Sequence, residues 1–297
     1  MPYIVETNNL TKRFPNKVAV DHINMHIEKG DIYGFIGKNG AGKTTAMKLI
    51  LGLLNVTEGE VKLFGGENLD KARRKIGSLI EAPGLYKNFT AYENMKRFSI
   101  LYGGTDKEIK EILELVGLGD VGKKKAGNFS LGMKQRLGIG IALLGNPELL
   151  VLDEPINGLD PAGIKEIRDT ILKLHQEKGV TFLISSHLLD ELAKITTKYG
   201  IISDGVLVEE IKADDLMERC RKNLKITVND VKKATEILKK NNIIDKYTSD
   251  VDSITLYNNY EDSAGINEML VKGGVKVMEL TSSNSGFEEY FIERIGR

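Results

Sequence analysis

The chain has 297 residues, and its 42 Lys and Arg balance 42 Asp and Glu, so overall charge does not predict a nucleic-acid-binding protein, although local basic patches are compatible with it. A hydrophobic content of 41% and a charged content of 28% are typical of a soluble globular protein, and the length allows one large or two ordinary domains. The single cysteine, Cys220, excludes an internal disulfide and fits a reducing compartment.

Targeting and membrane-spanning segments are not expected. Residues 1–6 lack the apolar core of a signal peptide. The most apolar stretch, residues 137–144, is far too short to span a bilayer. Any role at a membrane is therefore expected to come through a partner.

The first part of the chain predicts short strands at residues 3–8, 23–27, 31–36 and 59–65. A turn at residues 14–16 separates the first two and carries an aromatic, Phe14, that we expect to be exposed. The pattern indicates an antiparallel layer beside a parallel core.

A glycine-rich loop of the form G-x-x-x-x-G-K-[ST] follows the strand at 31–36 and precedes good helix formers. In this context a P-loop is far more plausible than an ordinary glycine turn, because glycines let backbone N–H groups approach a phosphate and the helix N-terminus adds positive charge. Lys43 is placed to reach the terminal phosphates, and the Thr44 hydroxyl to ligate Mg²⁺. The predicted nucleotide-binding residues of the loop are Gly37, Lys38, Asn39, Gly40, Ala41, Gly42, Lys43, Thr44 and Thr45.

The pattern is helical from residue 90 to about residue 145, which predicts a helical insertion over about 84–145. Thr90 and Thr105 each begin a sequence of capping-box form. Further on, Ser130 is a plausible N-cap. Because a helix N-terminus attracts anions, Ser130 also suggests a second phosphate site, completed across a dimer.

An apolar strand at 149–152 ends in two carboxylates, Asp153 and Glu154. Asp153 suits an Mg²⁺ ligand, and Glu154 suits the general base that activates water. Taken alone, the pair is also compatible with solubilising acids at a strand end. After the next strand, at 180–184, comes His187, which lies where parallel sheets place ligands, although a lone histidine is usually structural.

The character of the chain changes from about residue 223. Short strands are predicted at 224–228, 253–257 and 275–280, and helices at 231–240, 262–271 and 287–295. We expect a small α+β accessory domain at 222–297, joined to residues 1–215 by a linker near 213–221. The spacing in this region carries no chemical motif.

Together these motifs resemble the ATP-binding subunit of an ABC transporter, over roughly residues 1–215. The resemblance implies an α/β fold of the P-loop NTPase ABC cassette type. It also implies that Ser130 and Gly132 lie in the signature motif, that His187 is the switch histidine and that Phe14 stacks on adenine. In such a family two subunits sandwich two ATP molecules, so the signature of one would face the γ-phosphate held by Lys43 of the other.

Two positions depart from the family pattern. The signature contains Leu131 and Met133 where Gly and Gln are usual. Glu81 stands where most members have the glutamine that senses the metal, which suggests Glu81 as a third metal-site residue beside Thr44 and Asp153. Glu81 and the C-terminal extension resemble the bacitracin-export and lantibiotic-immunity branch.

The resemblance implies an ATPase that uses ATP and Mg²⁺ and powers export of a peptide antibiotic or related amphiphile. Its partners would be a membrane permease and a second ATPase subunit, a homodimer in the ATP-bound state, at the cytoplasmic face of the membrane, with no nucleic acid. Two alternatives stay open: a regulatory module that senses antibiotic, and a soluble ribosome- or DNA-associated ATPase. The soluble translation factors carry two cassettes in one chain, whereas this chain has one P-loop. A GTPase or kinase would leave the signature segment and His187 unexplained.

Overall fold

The structure, a computed structural model, describes residues 3–220, 223–244, 247–257, 262–283 and 287–295. The strands in these ranges are β1 Val5–Phe14, β2 Lys17–Ile23, β3 His26–Ile27, β4 Ile32–Ile36, β5 Glu58–Leu63, β6 Ile76–Leu79, β7 Leu149–Asp153, β8 Thr181–Ser186, β9 Lys198–Ser203, β10 Val206–Lys212, β11 Asn223–Val228, β12 Tyr247–Ser249, β13 Ser253–Leu256 and β14 Val277–Ser283. The helices are α1 Lys43–Ile50, α2 Leu69–Arg73, α3 Ala91–Ser99, α4 Asp106–Leu115, α5 Leu131–Ala142, α6 Pro161–Lys178, α7 Leu189–Ala193, α8 Ala213–Arg219, α9 Val231–Lys240, α10 Ser263–Lys272 and α11 Phe287–Ile295, with short 3-10 turns at Gly119–Val121 and Ala126–Asn128.

The chain forms two compact units, of which the first extends to Ala213 and the second comprises Asp214–Glu293. This boundary lies at the start of the range 213–221 where a linker is expected, and most of that range, Ala213–Arg219, is helix α8. Asp214 and Asp215 lie in its first turn, where negative charge stabilises a helix. Residue 221 lies outside the described residues.

A six-stranded sheet forms the centre of the first unit, in the order β10-β9-β4-β8-β7-β6. All of its neighbouring pairs are parallel except β10 with β9. Every residue of β4, β7 and β8 is buried, as expected for strands that are covered on both faces. The predicted parallel core is confirmed, and β6, β9 and β10 are additional strands that the sequence did not reveal.

An antiparallel layer lies in the same unit, where β1 pairs with β2, β3 and β5. It confirms the predicted layer with two differences of extent. The first strand runs on to Phe14 and turns tightly into β2, with Phe14 paired to Lys17. The predicted strand at 23–27 is interrupted after Ile23, where the Asn24 carboxamide oxygen accepts a hydrogen bond from the N–H of Asn9.

A buried polar cluster anchors β4, the strand that leads into the glycine loop. The Tyr33 hydroxyl donates to Glu210 Oε1 at 2.8 Å, and the backbone N–H of His26 donates to the same oxygen at 2.9 Å. Burial, together with the neighbouring Glu210 carboxylate, raises the pKa of Tyr33 well above its ordinary value. The hydroxyl therefore keeps its proton and remains a donor, which ties β3 and β10 to β4.

The helical region begins with caps that the sequence predicted. Thr90 and Glu93 form the complete capping box at the start of α3. Thr105 Oγ1 accepts the N–H of Glu108 at 3.2 Å at the start of α4. Ser130 Oγ accepts the N–H of Met133 at 3.2 Å and begins α5. The apolar face of α4 is buried through Ile109, Ile112 and Leu113, together with Val116 at its C-terminal end.

Between α8 and α11, the second unit has the order β11-α9-β12-β13-α10-β14, with an antiparallel sheet arranged β12-β13-β11-β14. This is the split β-α-β topology of ferredoxin-like domains. Its own core is apolar and includes Leu224, Ile226, Leu238, Ile254, Leu256 and Leu270. The predicted α+β character of this region is present in the structure.

Candidate functional site

The glycine loop joins the end of β4 at Ile36 to the start of α1 at Lys43. Gly40 and Gly42 adopt left-handed backbone conformations, with φ of 83° and 111°. A Cβ on Gly42 would lie 2.4 Å from the carbonyl oxygen of Ala19, so only glycine fits there. The tight turn directs the start of α1, and with it the positive end of the helix dipole, toward the cleft.

Lys43 is buried, and its ammonium group faces the loop. Lys43 Nζ donates to the carbonyl oxygen of Gly37 at 2.6 Å and lies 3.3 Å from Glu154 Oε1. A cation held here stands beside the backbone N–H groups that suit a phosphate. Lys43 and Glu154 thus line the same cleft and contact each other there.

Two hard oxygen donors meet where β7 ends. Thr44 Oγ1 donates to Asp153 Oδ2 at 2.8 Å. Hydroxyl and carboxylate oxygens suit Mg²⁺, which commonly takes one or two protein ligands and completes its octahedron with phosphate oxygens and water. Within the described part of the chain, no three His, Cys, Asp or Glu side chains converge as a self-sufficient metal site. The donor set therefore fits a metal that arrives with a nucleotide.

Glu154 lies directly after β7, with a left-handed φ of 49°. Its Oε2 lies 2.8 Å from His187 Nδ1. Its Oε1 is buried and has no hydrogen bond, with only Lys43 Nζ nearby at 3.3 Å. The Glu154 carboxylate thus lies between His187 and the P-loop lysine, within reach of the site where a terminal phosphate is expected, as a general base needs.

Sequence reasoning missed Ser185, the last residue but one of β8. Ser185 Oγ donates to Asp153 Oδ1 at 2.6 Å and accepts the backbone N–H of Glu154 at 2.8 Å. A signal was available, because a polar Ser185 and Ser186 follow an apolar strand next to the strand that ends in Asp153. That signal becomes informative only once the register of β7 against β8 is known, and the sequence alone does not give this register.

An open cleft of about 350 Å³ lies along the loop. Phe14 stands at its edge, 43% exposed, with Lys12 Nζ 5.2 Å from the centre of its ring. An exposed aromatic face beside a phosphate-binding loop suits a nucleotide base. The lining residues are Phe14, Lys17, Ala19, Lys38, Asn39, Gly40, Gly42, Lys43, Thr44, Thr45 and Glu154.

Ser130 and Gly132 line a different cleft, of about 480 Å³, between the start of α5 and the start of α6. Asp160 Oδ1 caps α6 by accepting the N–H of Gly163 at 3.0 Å. None of the lining residues is shared with the cleft at the P-loop. Within one chain, then, Ser130 and Lys43 belong to separate clefts.

Glu81 forms an ion pair with Lys48, at 2.6 Å between Oε1 and Nζ. The Glu81 side chain is 67% exposed and its φ is 63°. Lys48 lies one helical turn beyond Thr44 on α1. The structure thus brings Thr44 and Asp153 together and pairs Glu81 with Lys48, so the proposed metal role of Glu81 stays a prediction.

A family model described as ABC transporter matches residues 20–157. The bacitracin transport ATP-binding protein BcrA of Bacillus licheniformis is 44% identical over 302 residues, which cover 100% of this chain and 98% of that protein. The chain belongs to the ABC transporter ATP-binding family. The predicted ABC cassette fold and the assignment as an ATPase are thereby confirmed.

Two further relatives of this ABC cassette are informative. The lantibiotic transport ATP-binding protein SrtF of Streptococcus pyogenes is 44% identical over 211 residues, which cover 71% of this chain but 92% of that protein. A solved dimeric ATP-binding cassette in a post-hydrolysis state, bound to ADP and Pi, is 28% identical with a TM-score of 0.63, covering 70% of this chain and 98% of that one.

Along the described stretches of the cassette chain, no helix is both long and apolar enough to cross a membrane.

Proposed function

We propose that this chain is the ATP-hydrolysing subunit of an exporter that removes a peptide antibiotic of the bacitracin or lantibiotic type through a membrane permease. Two observations support the cargo class: the full-length similarity to a bacitracin transport subunit and the shorter match to a lantibiotic transport subunit. The observation that carries the enzymatic part is the position of the Glu154 carboxylate, 3.3 Å from Lys43 Nζ at the P-loop and 2.8 Å from His187 Nδ1.

Glu154 acts as the general base in this proposal. Water attacks the γ-phosphorus while a Glu154 oxygen takes its proton, and the bond from the γ-phosphorus to the bridging oxygen of ADP breaks. His187 holds the other oxygen of Glu154 through Nδ1 and fixes its direction. Because Lys43 is cationic, it stabilises the negative charge of the phosphate oxygens during transfer.

Thr44 and Asp153 would hold Mg²⁺ in this proposal, and the ion would neutralise negative charge on the phosphates. Thr44 Oγ1 and Asp153 Oδ2, which lie 2.8 Å apart, would supply the protein ligands, and Ser185 holds the other oxygen of Asp153, Oδ1. Phe14 provides the aromatic face for adenine at the far end of the cleft.

Two copies of the chain complete each nucleotide site. The separation of the Ser130 cleft from the P-loop cleft supports this arrangement, because the helix N-terminus at Ser130 is a suitable anion site that the chain's own nucleotide does not occupy. In the dimer, Ser130 and Gly132 of one copy face the γ-phosphate held by Lys43 of the other. The solved cassette dimer with ADP and Pi supports the same stoichiometry.

Antibiotic protection in cells tests the transport function. The chain is expressed in a sensitive bacterium together with the membrane permease that copurifies with it from its own cells. Growth is measured against bacitracin, a lantibiotic and an unrelated antibiotic that has an intracellular target. We expect protection against one of the two peptides, its loss with Glu154→Gln and copurification with the permease. Protection without ATP hydrolysis would favour a sensing role. Copurification with ribosomes in place of a membrane protein would contradict the proposal.

A further inference from the structure

Ser185 lies directly beside Asp153 because of the register of two parallel strands. In the pairing of β7 with β8, Asp153 is opposite Ser185, and Leu152 is opposite Ile184. A shift of one residue would turn the Ser185 side chain to the other face of the sheet. The register thus delivers one hydroxyl, fully buried, to the strand end that carries both candidate carboxylates.

The hydrogen bonds of Ser185 join the two carboxylate residues to each other. A serine hydroxyl has one proton to donate, and here it goes to Asp153 Oδ1 at 2.6 Å. A lone pair of the same oxygen accepts the backbone N–H of Glu154 at 2.8 Å. The other oxygen of Asp153 receives the Thr44 hydroxyl at 2.8 Å. A continuous chain of hydrogen bonds therefore runs from Thr44 through Asp153 and Ser185 to the backbone of Glu154.

At the last residue of this series of hydrogen bonds, Glu154, the backbone is strained. Its φ of 49° is a left-handed conformation that side chains other than glycine and asparagine rarely adopt. Such a conformation persists only where its surroundings hold it. The bond from Glu154 N–H to Ser185 is a specific contact that does so.

We propose that Ser185 is a positioning residue for ATP hydrolysis, which sets the direction of the metal-site carboxylate Asp153 and the backbone of the base Glu154 together. The bond from Ser185 to Oδ1 restrains rotation of the Asp153 side chain and keeps Oδ2 directed at Thr44. With its N–H held, the Glu154 backbone keeps the strained turn that directs its side chain to Lys43 and His187. The inference rests on the proposed roles of Asp153 and Glu154.

Three substitutions of Ser185 in the full-length chain test the inference. Ser185→Ala removes the hydroxyl, Ser185→Cys fills the volume with a weak donor, and Ser185→Thr keeps the hydroxyl. Binding of a fluorescent ATP analogue is titrated with and without Mg²⁺, and phosphate release is measured in parallel. We expect the Ala and Cys variants to bind nucleotide normally without Mg²⁺. They should need about tenfold more Mg²⁺ to reach the same change in nucleotide affinity, and their kcat should fall about tenfold or more. The Thr variant should show the original Mg²⁺ requirement and the original kcat.

Thr181→Val is the matched control, because Thr181 is a fully buried hydroxyl residue at the opposite end of the same strand, where Oγ1 accepts the N–H of Gly30 at 3.0 Å. We expect it to lower the melting temperature without changing the Mg²⁺ titration. Normal Mg²⁺ dependence and kcat in Ser185→Cys, or an equal Mg²⁺ effect in Thr181→Val, would overturn the inference. Unimpaired hydrolysis by Glu154→Gln would instead overturn the proposed function, so the two failures are distinguishable.

Discussion

His187 Nδ1 lies 2.8 Å from Glu154 Oε2, and Lys43 Nζ lies 3.3 Å from the other oxygen of the same carboxylate. The carboxylate is held between a ring nitrogen and a buried cation, at the point where β7, β8 and the glycine loop meet. This arrangement keeps the Glu154 carboxylate within reach of the P-loop. It also means that loss of either neighbour changes the direction of the carboxylate.

Substitution of the histidine tests this relationship. His187→Ala should lower kcat by about 10²-fold, because Glu154 loses the contact that orients it, and should leave ATP affinity within a few-fold of the original. Phosphate release and nucleotide titration measure the two quantities. His175→Ala is the control, since His175 lies on α6 and its Nδ1 is 3.2 Å from the carbonyl oxygen of Val180. Full activity of His187→Ala would contradict its positioning of the base.

Mixed dimers test the shared nucleotide site. Lys43→Ala and Ser130→Arg subunits, each inactive alone, should regain partial ATPase activity when mixed. Both lesions then fall on one site of the mixed dimer and leave the other intact. Lys43→Ala mixed with Glu154→Gln should give no recovery, because each of those lesions disables the site of its own subunit. Equal behaviour of the two mixtures, with mixed dimers shown to form, would argue against a signature that acts on the partner's nucleotide.

The ion pair of Glu81 with Lys48 predicts that replacing its two members changes the Mg²⁺ requirement in opposite directions. Because Glu81 is 67% exposed, breaking the pair should cost less than about 1 kcal/mol of stability. If Glu81 reaches the metal when nucleotide is bound, Glu81→Gln should raise the Mg²⁺ concentration needed for half-maximal ATPase activity. Lys48→Gln frees the Glu81 carboxylate and should lower that Mg²⁺ concentration. Unchanged Mg²⁺ titrations in both variants would show that Glu81 is a neutral replacement.

Shortening the chain to residues 1–219 tests the role of the second unit. The shortened chain should bind ATP with similar affinity, because the described P-loop cleft is built from the first unit alone. The lantibiotic transport relative matches only 71% of this chain although 92% of that protein is covered, which fits a cassette without a full second unit. We propose that residues from Leu224 onward regulate the cassette or stabilise its dimer. Loss of ATP binding in a folded shortened chain would contradict this.

Much of the site was predictable because its chemistry is local in sequence. The glycine loop needs specific residues at fixed spacing, and Ser130 and Asp160 cap their helices through partners three residues away. The apolar strand that ends in Asp153 and the apolar strand that precedes His187 are also recognisable from the sequence. Such features depend on neighbouring residues, so sequence patterns are sufficient to find them.

The missed features depend on pairing between distant segments. Ser185 acquires its role only from the register of β8 against β7, and Glu81 meets Lys48 across 33 positions of sequence. Strand β6 was missed because Gly77 and Ser78 lower its strand propensity, while its neighbour β7 supplies the pairing. The helix α8 was missed because a short polar stretch between two units resembles a linker.

The most direct test of the central claim is the rate of ATP hydrolysis by purified Glu154→Gln protein, measured together with its mass by light scattering. We predict normal ATP binding, a fall in kcat of about 10²–10⁴-fold and a stable dimer with ATP and Mg²⁺, because the nucleotide sites close but the attacking water keeps its proton. Glu154→Asp serves as a variant that retains the carboxylate. Hydrolysis near the original rate in Glu154→Gln would contradict the assignment of Glu154 as the base.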